Sequence, residues 1–171
     1  ASLTPLLAEL DALPLGPNLA LFVGHGTLRT LAGIGRDPAP SPEDIARMQA
    51  LLDDALDHTF GLSSGLEYNP GLWAPKAELL ALAEVVGNRD RVIMSHLRSE
   101  DDDQLFEAID ELLAQGQHAR VHIAHLKSVY GRGAARGDAI LDKLTAAQRS
   151  VLRVSADVYP YSASYTGLAL L

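Results

Sequence analysis

The sequence predicts an α/β fold built from parallel βα units: a partial (β/α)8 TIM-type barrel of about five parallel strands with intervening helices. Three observations predict it. Short apolar runs of strand length alternate with segments of helical periodicity. The runs recur roughly every thirty to forty residues, the rhythm of βα units around a sheet. They are near-continuously apolar, as strands covered on both faces are. A closed barrel takes eight strands and typically about 250 residues, so a chain of 171 residues is expected to form part of one. A five-stranded doubly wound sheet is the alternative architecture for the same pattern.

The elements follow in order. Thr4-Pro5 reads as an N-cap with proline at the first helical position, opening a short helix to about Asp11. Leu19-Ala20-Leu21-Phe22-Val23 reads as a strand. Ser41-Pro42-Glu43-Asp44 is a second cap, and Ile45, Met48, Leu52, Ala55 and Leu56 follow it at helical spacing. Thr59-Phe60-Gly61-Leu62 is the next strand. Pro75 opens a helix with Leu79, Leu82, Ala83 and Val86 on one face and Gly87 as its stop. Arg91-Val92-Ile93-Met94-Ser95 is a third strand. Ser99-Glu100-Asp101-Asp102 caps a helix whose Leu105, Ile109, Leu112 and Leu113 face inward, ending at Gly116. Arg120-Val121-His122-Ile123-Ala124 is a fourth strand. A helix runs from Ala134 to Arg149, and the strand Val151 to Ala156 follows it.

Composition excludes several classes. The chain is 47% apolar and 21% charged, a globular balance. Its net charge of −8 repels phosphate backbones, so no nucleic-acid partner is expected. It has no cysteine, which rules out disulfides, thiol nucleophiles and cysteine zinc sites. No apolar run approaches the roughly 18 residues of a membrane span, and the start lacks the basic and apolar regions of a secretory signal. A cytoplasmic location without membrane contact is expected. The chain starts at Ala1 rather than Met and stops in an apolar run, which suggests a segment of a longer protein.

In parallel α/β architectures the chemistry sits just past the carboxyl ends of the strands. Here those positions hold Gly24-His25-Gly26, Ser63-Ser64-Gly65-Leu66-Glu67-Tyr68, His96-Leu97-Arg98, His125-Leu126-Lys127 and Asp157-Val158-Tyr159-Pro160-Tyr161. The third and fourth strands match: each ends in His, then Leu, then a basic residue. Side chains alternate along a strand, so His96 shares a face with Met94 and Val92, and His125 with Ile123 and Val121. If those apolar residues fill the sheet interior, both imidazoles crown it, where rigid strand ends suit zinc ligation. His122 has the opposite parity and is expected to face the helices. His58 and His118 read as surface residues. Lys127 could pair with a substrate carboxylate or be a solvated loop residue; Arg98 offers the same choice. Gly61-Leu62-Ser63-Ser64-Gly65 matches the serine-hydrolase pattern G-x-S-x-G, but Pro70-Gly71 signals a turn where that motif needs a helix. A non-catalytic α/β interaction module with incidental histidines is the competing class.

Taken together, Gly24-His25-Gly26-Thr27-Leu28-Arg29, Phe60 through Tyr68, Ser95-His96-Leu97-Arg98-Ser99-Glu100, Ala124-His125-Leu126-Lys127 and Ala156 through Tyr161 resemble, in order and spacing, the N-acyl-D-amino-acid deacylases (D-aminoacylases) of the amidohydrolase superfamily. The resemblance runs from about residue 19 to the end. It implies a metal-dependent (β/α)8 barrel that hydrolyses the amide of N-acyl-D-amino acids, with zinc as cofactor. His96 and His125 match the family's zinc-binding histidines at consecutive strand ends. Lys127 matches a lysine that contacts the substrate carboxylate. Tyr159 matches a pocket tyrosine, with Tyr161 as the alternative.

The chain departs from the family pattern in lacking its initial His-x-His strand, the metal-binding cysteine and the metal-bound aspartate that shuttles the proton. Asp157 lies in a different block and does not take that role. The expectation is therefore residues 1–171 as the central part of a deacylase barrel, without a catalytic proton shuttle and inactive alone. Glu67 is a candidate third ligand, and His25 has no assigned role. Besides an N-acyl-D-amino acid, the expected partner is the remainder of a parent chain, or a second copy, at exposed barrel edges. A dihydroorotase-like cyclic amidohydrolase is a further alternative, though no strand ends in the lysine such enzymes carboxylate.

Overall fold

In a computed structural model, which describes residues 4–163, 165 and 166, one parallel sheet carries five strands in the order β1-β2-β3-β4-β5. These are β1 Phe22–Gly24, β2 Gly61–Gly65, β3 Val92–His96, β4 Arg120–Ile123 and β5 Val154–Ala156. The helices are α1 Thr4–Asp11, α2 His25–Leu31, α3 Pro42–Ala55, α4 Lys76–Asn88, α5 Leu105–Gln115 and α6 Ala134–Arg149, with a 3-10 turn at Gly71–Trp73. A doubly wound sheet reverses its strand order at a switch point. Here each strand lies beside its neighbour in sequence throughout, which is how a barrel wall is wound. The partial barrel is therefore the architecture, and the doubly wound alternative is set aside.

The register explains which face is covered. Val23, Leu62, Ile93, Val121 and Val154 pair across all five strands in one row. All five are buried in one core with Met48, Leu52, Leu82, Val86, Leu105, Ile109, Leu112, Ile140 and Leu144 of the helices. Parallel crossovers are right-handed, so successive helices return over the same face. The apolar stripes of α3 to α6 bury that row, each large side chain contributing about 1.5–3 kcal/mol. The next row, Gly24, Ser63, Met94, His122 and Ser155, points the other way and lies outside that core.

Several boundaries differ from those the sequence suggests. The segment after β1, where no helix was expected, is helix α2. Its His25 and Arg29 stand one turn apart and both reach Glu78 of α4, at 2.7 Å and 3.3 Å. That tertiary tie holds a short, glycine-containing helix that local propensity would not. Gly87 does not stop α4 but lies within it, where a Cβ would collide with the carbonyl of His118. The box at Ser41 and Asp44 caps α3 as expected. The segment from Ser99 does not cap α5, which begins only at Leu105. Instead Ser99 Oγ accepts from Asp101 N at 3.2 Å, and Asp102 binds Ser128 and Arg136. Val151, read as a strand start, has φ 73° just after α6, and β5 begins at Val154. It holds the left-handed closing position that glycine usually takes. Among the described residues no helix is long and apolar enough to cross a membrane.

Two outcomes follow for stability, both measurable by urea unfolding. Arg29 is fully buried against Glu78, so Glu78→Ala leaves an uncompensated buried charge and is expected to cost about 3–5 kcal/mol. Val151→Gly relieves the left-handed strain and is expected to stabilise by about 0.5–1 kcal/mol.

Candidate metal centre

A parallel sheet delivers all its strand ends to one edge, and five segments converge there. β3 ends on His96 itself, and His125 lies two residues past the end of β4. His96 Nδ1 and His125 Nε2 are 3.0 Å apart. Each ring's other nitrogen meets a carboxylate. His96 Nε2 lies 2.7 Å from Glu67 Oε2, and His125 Nδ1 lies 3.0 Å from Glu100 Oε1. An ionised carboxylate can only accept, so each contact puts the ring proton on the outer nitrogen. The two inner nitrogens then turn lone pairs toward each other, an arrangement that asks for a proton or a cation between them.

The donor set fits a metal. His96, Glu100 and His125 each offer a ligand atom, and these atoms lie within 4.8 Å of one another. Imidazole nitrogen and carboxylate oxygen are both zinc ligands, and two nitrogens on one tetrahedral zinc stand roughly 3.3 Å apart, near the distance seen. A carboxylate behind each imidazole is also the usual means of fixing a ligating histidine's tautomer and ring orientation. Glu67, a candidate third ligand from the sequence, stands on the side of His96 away from His125 and serves this orienting position.

Lys127 Nζ lies 2.5 Å from Glu100 Oε2, 3.2 Å from the His125 carbonyl and 5.3 Å from the Tyr159 ring centroid. It is also 3.1 Å from His125 Nδ1, but with both groups protonated each donates to Glu100 instead. Glu100, 6% exposed, therefore joins the histidine pair to the lysine. The Tyr68 hydroxyl oxygen lies 3.2 Å from His96 Nδ1. Burial, then the charges of Glu67 and Glu100, push its phenol above the ordinary tyrosine value. Tyr159 lies tilted beside His125 at 6.4 Å between centroids, while Tyr161 is three-quarters exposed beyond it. These groups border a cleft of about 680 Å³, within the size range of small-molecule sites.

The parity expected for the fourth strand is corrected. Met94 pairs with His122, not with Ile123. Val121 and Ile123 face the helices, and His122 faces the other way with Met94. His125 still reaches His96 because the chain turns after β4, with φ 41° at His125. A histidine in this left-handed region carries of order 1–3 kcal/mol of strain. His122 donates from Nε2 to Asp157 at 2.7 Å and bonds Ser155 through Nδ1 at 2.8 Å. The hydrogen bond from His122, then the backbone N–H of His125, hold the Asp157 carboxyl below its ordinary value.

The remaining candidates fall elsewhere. His25 is buried on Glu78. Arg98 spans Glu111, Leu72 and Ala74 as a structural tie. Ser63 lies inside β2 rather than at a strand-to-helix turn, and donates to the Val23 carbonyl at 3.5 Å, so no nucleophile elbow forms. His58 and His118 are exposed. Glu100 and Tyr68 are the site residues that sequence reasoning missed. Glu100 resembled a helix-cap acid; its place four residues past His96, at the same strand end, was the signal.

No family model matches the chain. The chain is 37% identical over 154 residues to N-acyl-D-glutamate deacylase of Alcaligenes xylosoxydans xylosoxydans, covering 87% of this chain and 31% of that protein. It is 33% identical over 168 residues to the N-acyl-D-aspartate deacylase of the same organism, covering 96% and 33%. Among solved structures it matches N-acyl-D-glutamate deacylase of Bordetella bronchiseptica, complexed with zinc and a phosphonate mimic of the tetrahedral intermediate, with a TM-score of 0.86 and 36% identity over 94% of this chain and 34% of that one. D-aminoacylase structures, one of them described for its binuclear metal centre, match with the same TM-score at 31% identity. The chain thus spans about a third of the length of the relatives it matches.

The Tyr68 environment is testable by ultraviolet titration of the phenols. Tyr68 is expected to ionise later than an ordinary tyrosine. Tyr68→Phe removes that late step; its persistence would contradict the assignment.

Proposed function

Because the chain belongs to the N-acyl-D-amino-acid deacylase family of the amidohydrolase superfamily, we propose that it forms the zinc-binding strand ends of an enzyme that hydrolyses the amide of N-acyl-D-amino acids to a carboxylate and a D-amino acid. The observation that carries the reading is the pair of facing imidazole nitrogens 3.0 Å apart, each ring backed by a carboxylate. His96 and His125 would hold the metal, with Glu100 within reach. A bound zinc polarises the amide carbonyl and lowers the pKa of its water.

The chain's own residues have separate tasks. Glu67 and Glu100 keep the outer ring nitrogens protonated, so the inner lone pairs stay free for ligation. Lys127 offers an ammonium to the substrate's free carboxylate, and Glu100 fixes where that ammonium points. Tyr159 walls the cleft beside Lys127, and Tyr68 sets a hydroxyl against His96. Within residues 1–171, read as one domain, no residue matches the family's proton-shuttle aspartate, so turnover is not expected from the chain alone. The uncovered sheet face, carrying Ser63, Met94 and His122, would seat the remainder of a parent chain or a second copy.

Titration with cobalt(II), followed by absorption and calorimetry, tests the reading. The expected result is one metal per chain, with affinity falling at least about 10-fold in His96→Ala and in His125→Ala, since each removes a direct ligand. Absence of uptake, or uptake indifferent to both substitutions, would favour the non-catalytic module.

A further inference from the structure

We infer that Asp157 is the positioning residue of this centre: it holds His125 in its left-handed backbone conformation and so aims the imidazole at His96. The inference rests on the metal-centre reading above and extends it to a residue that touches neither metal nor substrate.

Asp157 makes four hydrogen bonds to the stretch 122–126. Its N–H donates to the Ile123 carbonyl at 3.1 Å and its carbonyl accepts from Leu126 N at 2.8 Å, continuing the pairing of β4 with β5. Its side chain adds two more. Oδ1 accepts from the backbone N–H of His125 at 2.6 Å, and Oδ2 accepts from His122 Nε2 at 2.7 Å.

The first of these side-chain bonds answers a specific need. At φ 41° His125 leaves the strand conformation, and the Asp157 carbonyl accepts from Leu126 N instead, so the His125 N–H requires another acceptor. A carboxylate oxygen makes that bond charge-assisted and short, which offsets the strain of a non-glycine residue there. The second bond keeps the carboxylate in place. His122 is itself held at its other nitrogen by Ser155 Oγ at 2.8 Å, so Ser155, His122 and Asp157 form a chain ending on the His125 amide. This also gives His122 a role in place of the helix-facing one expected from parity. Released from the clamp, residue 125 would relax toward ordinary φ, swinging the imidazole from His96 and carrying Lys127 with it.

Two readouts test this on the whole chain. In the metal-free chain, NMR is expected to show the His125 amide proton far downfield and slow to exchange. Asp157→Ala should move it upfield and speed its exchange at least about tenfold, and should shift the His125 ring resonances. Asp157→Asn, which keeps an oxygen for the amide, should restore most of the protection. With cobalt(II) added, affinity should fall about 10–100-fold in Asp157→Ala, the usual effect of losing a residue that orients a ligand, and recover in Asp157→Asn. If Asp157→Ala does not fold, His122→Leu removes the carboxylate's second anchor and should raise His125 exchange by a smaller factor. An unchanged His125 amide in the variant that folds would overturn the clamp. A released amide with unchanged cobalt affinity and spectrum would overturn its link to the ligand. If the unmodified chain takes up no cobalt, the metal reading fails on its own, and the amide readout still decides whether Asp157 holds His125.

Discussion

The parallel pairing of β3 with β4 is the constraint on which the centre depends. Its register sets Ser95 beside Ile123, so the residues that follow both strands emerge side by side at the same edge. Antiparallel pairing would send His96 and His125 to opposite ends of the sheet. Because β4 ends a residue earlier in register and then turns, His125 crosses back toward His96 instead of continuing upward beside it. The helix-covered row from Val23 to Val154 supplies the apolar burial that keeps this register from slipping. A one-residue slip would turn that whole row away from its helices.

On this scaffold the polar groups form one connected network. Glu67 from the end of β2, Glu100 from the segment after β3 and Lys127 after β4 surround the two imidazoles, and Asp157 after β5 holds the His125 backbone N–H and the His122 ring. The ends of β2, β3, β4 and β5 therefore each contribute one charged group to this network. Glu100 contacts His125 and Lys127 at once, which couples the group suited to a metal to the group suited to a substrate carboxylate. The buried His25, Arg29 and Glu78 cluster does a different job: it ties α2 to α4 and shapes the wall behind β1.

Much of this was legible in the sequence. The apolar runs marked all five strands to within a few residues, and the matching His-Leu-basic endings picked out His96, His125 and Lys127. The partial barrel and the family followed from the same blocks. What was not legible depended on the chain leaving regular geometry. Alternation along β4 failed at His125 because a left-handed residue breaks the period of two, which also assigned His122 to the wrong face. Glu100 was hidden because Ser99-Glu100-Asp101-Asp102 has the composition of a helix cap, yet its side chains are claimed by Ser128, Arg136, His125 and Lys127. Helix α2 was missed because its stability comes from Glu78, more than forty positions away in sequence.

The central claim is that His96 and His125 bind one metal together through their facing nitrogens. X-ray absorption at the zinc edge of the zinc-loaded chain tests it most directly. The account predicts outer-shell scattering from two imidazoles, with nitrogen or oxygen donors alone in the first shell. Scattering from a single imidazole, or zinc bound without any imidazole, would contradict it.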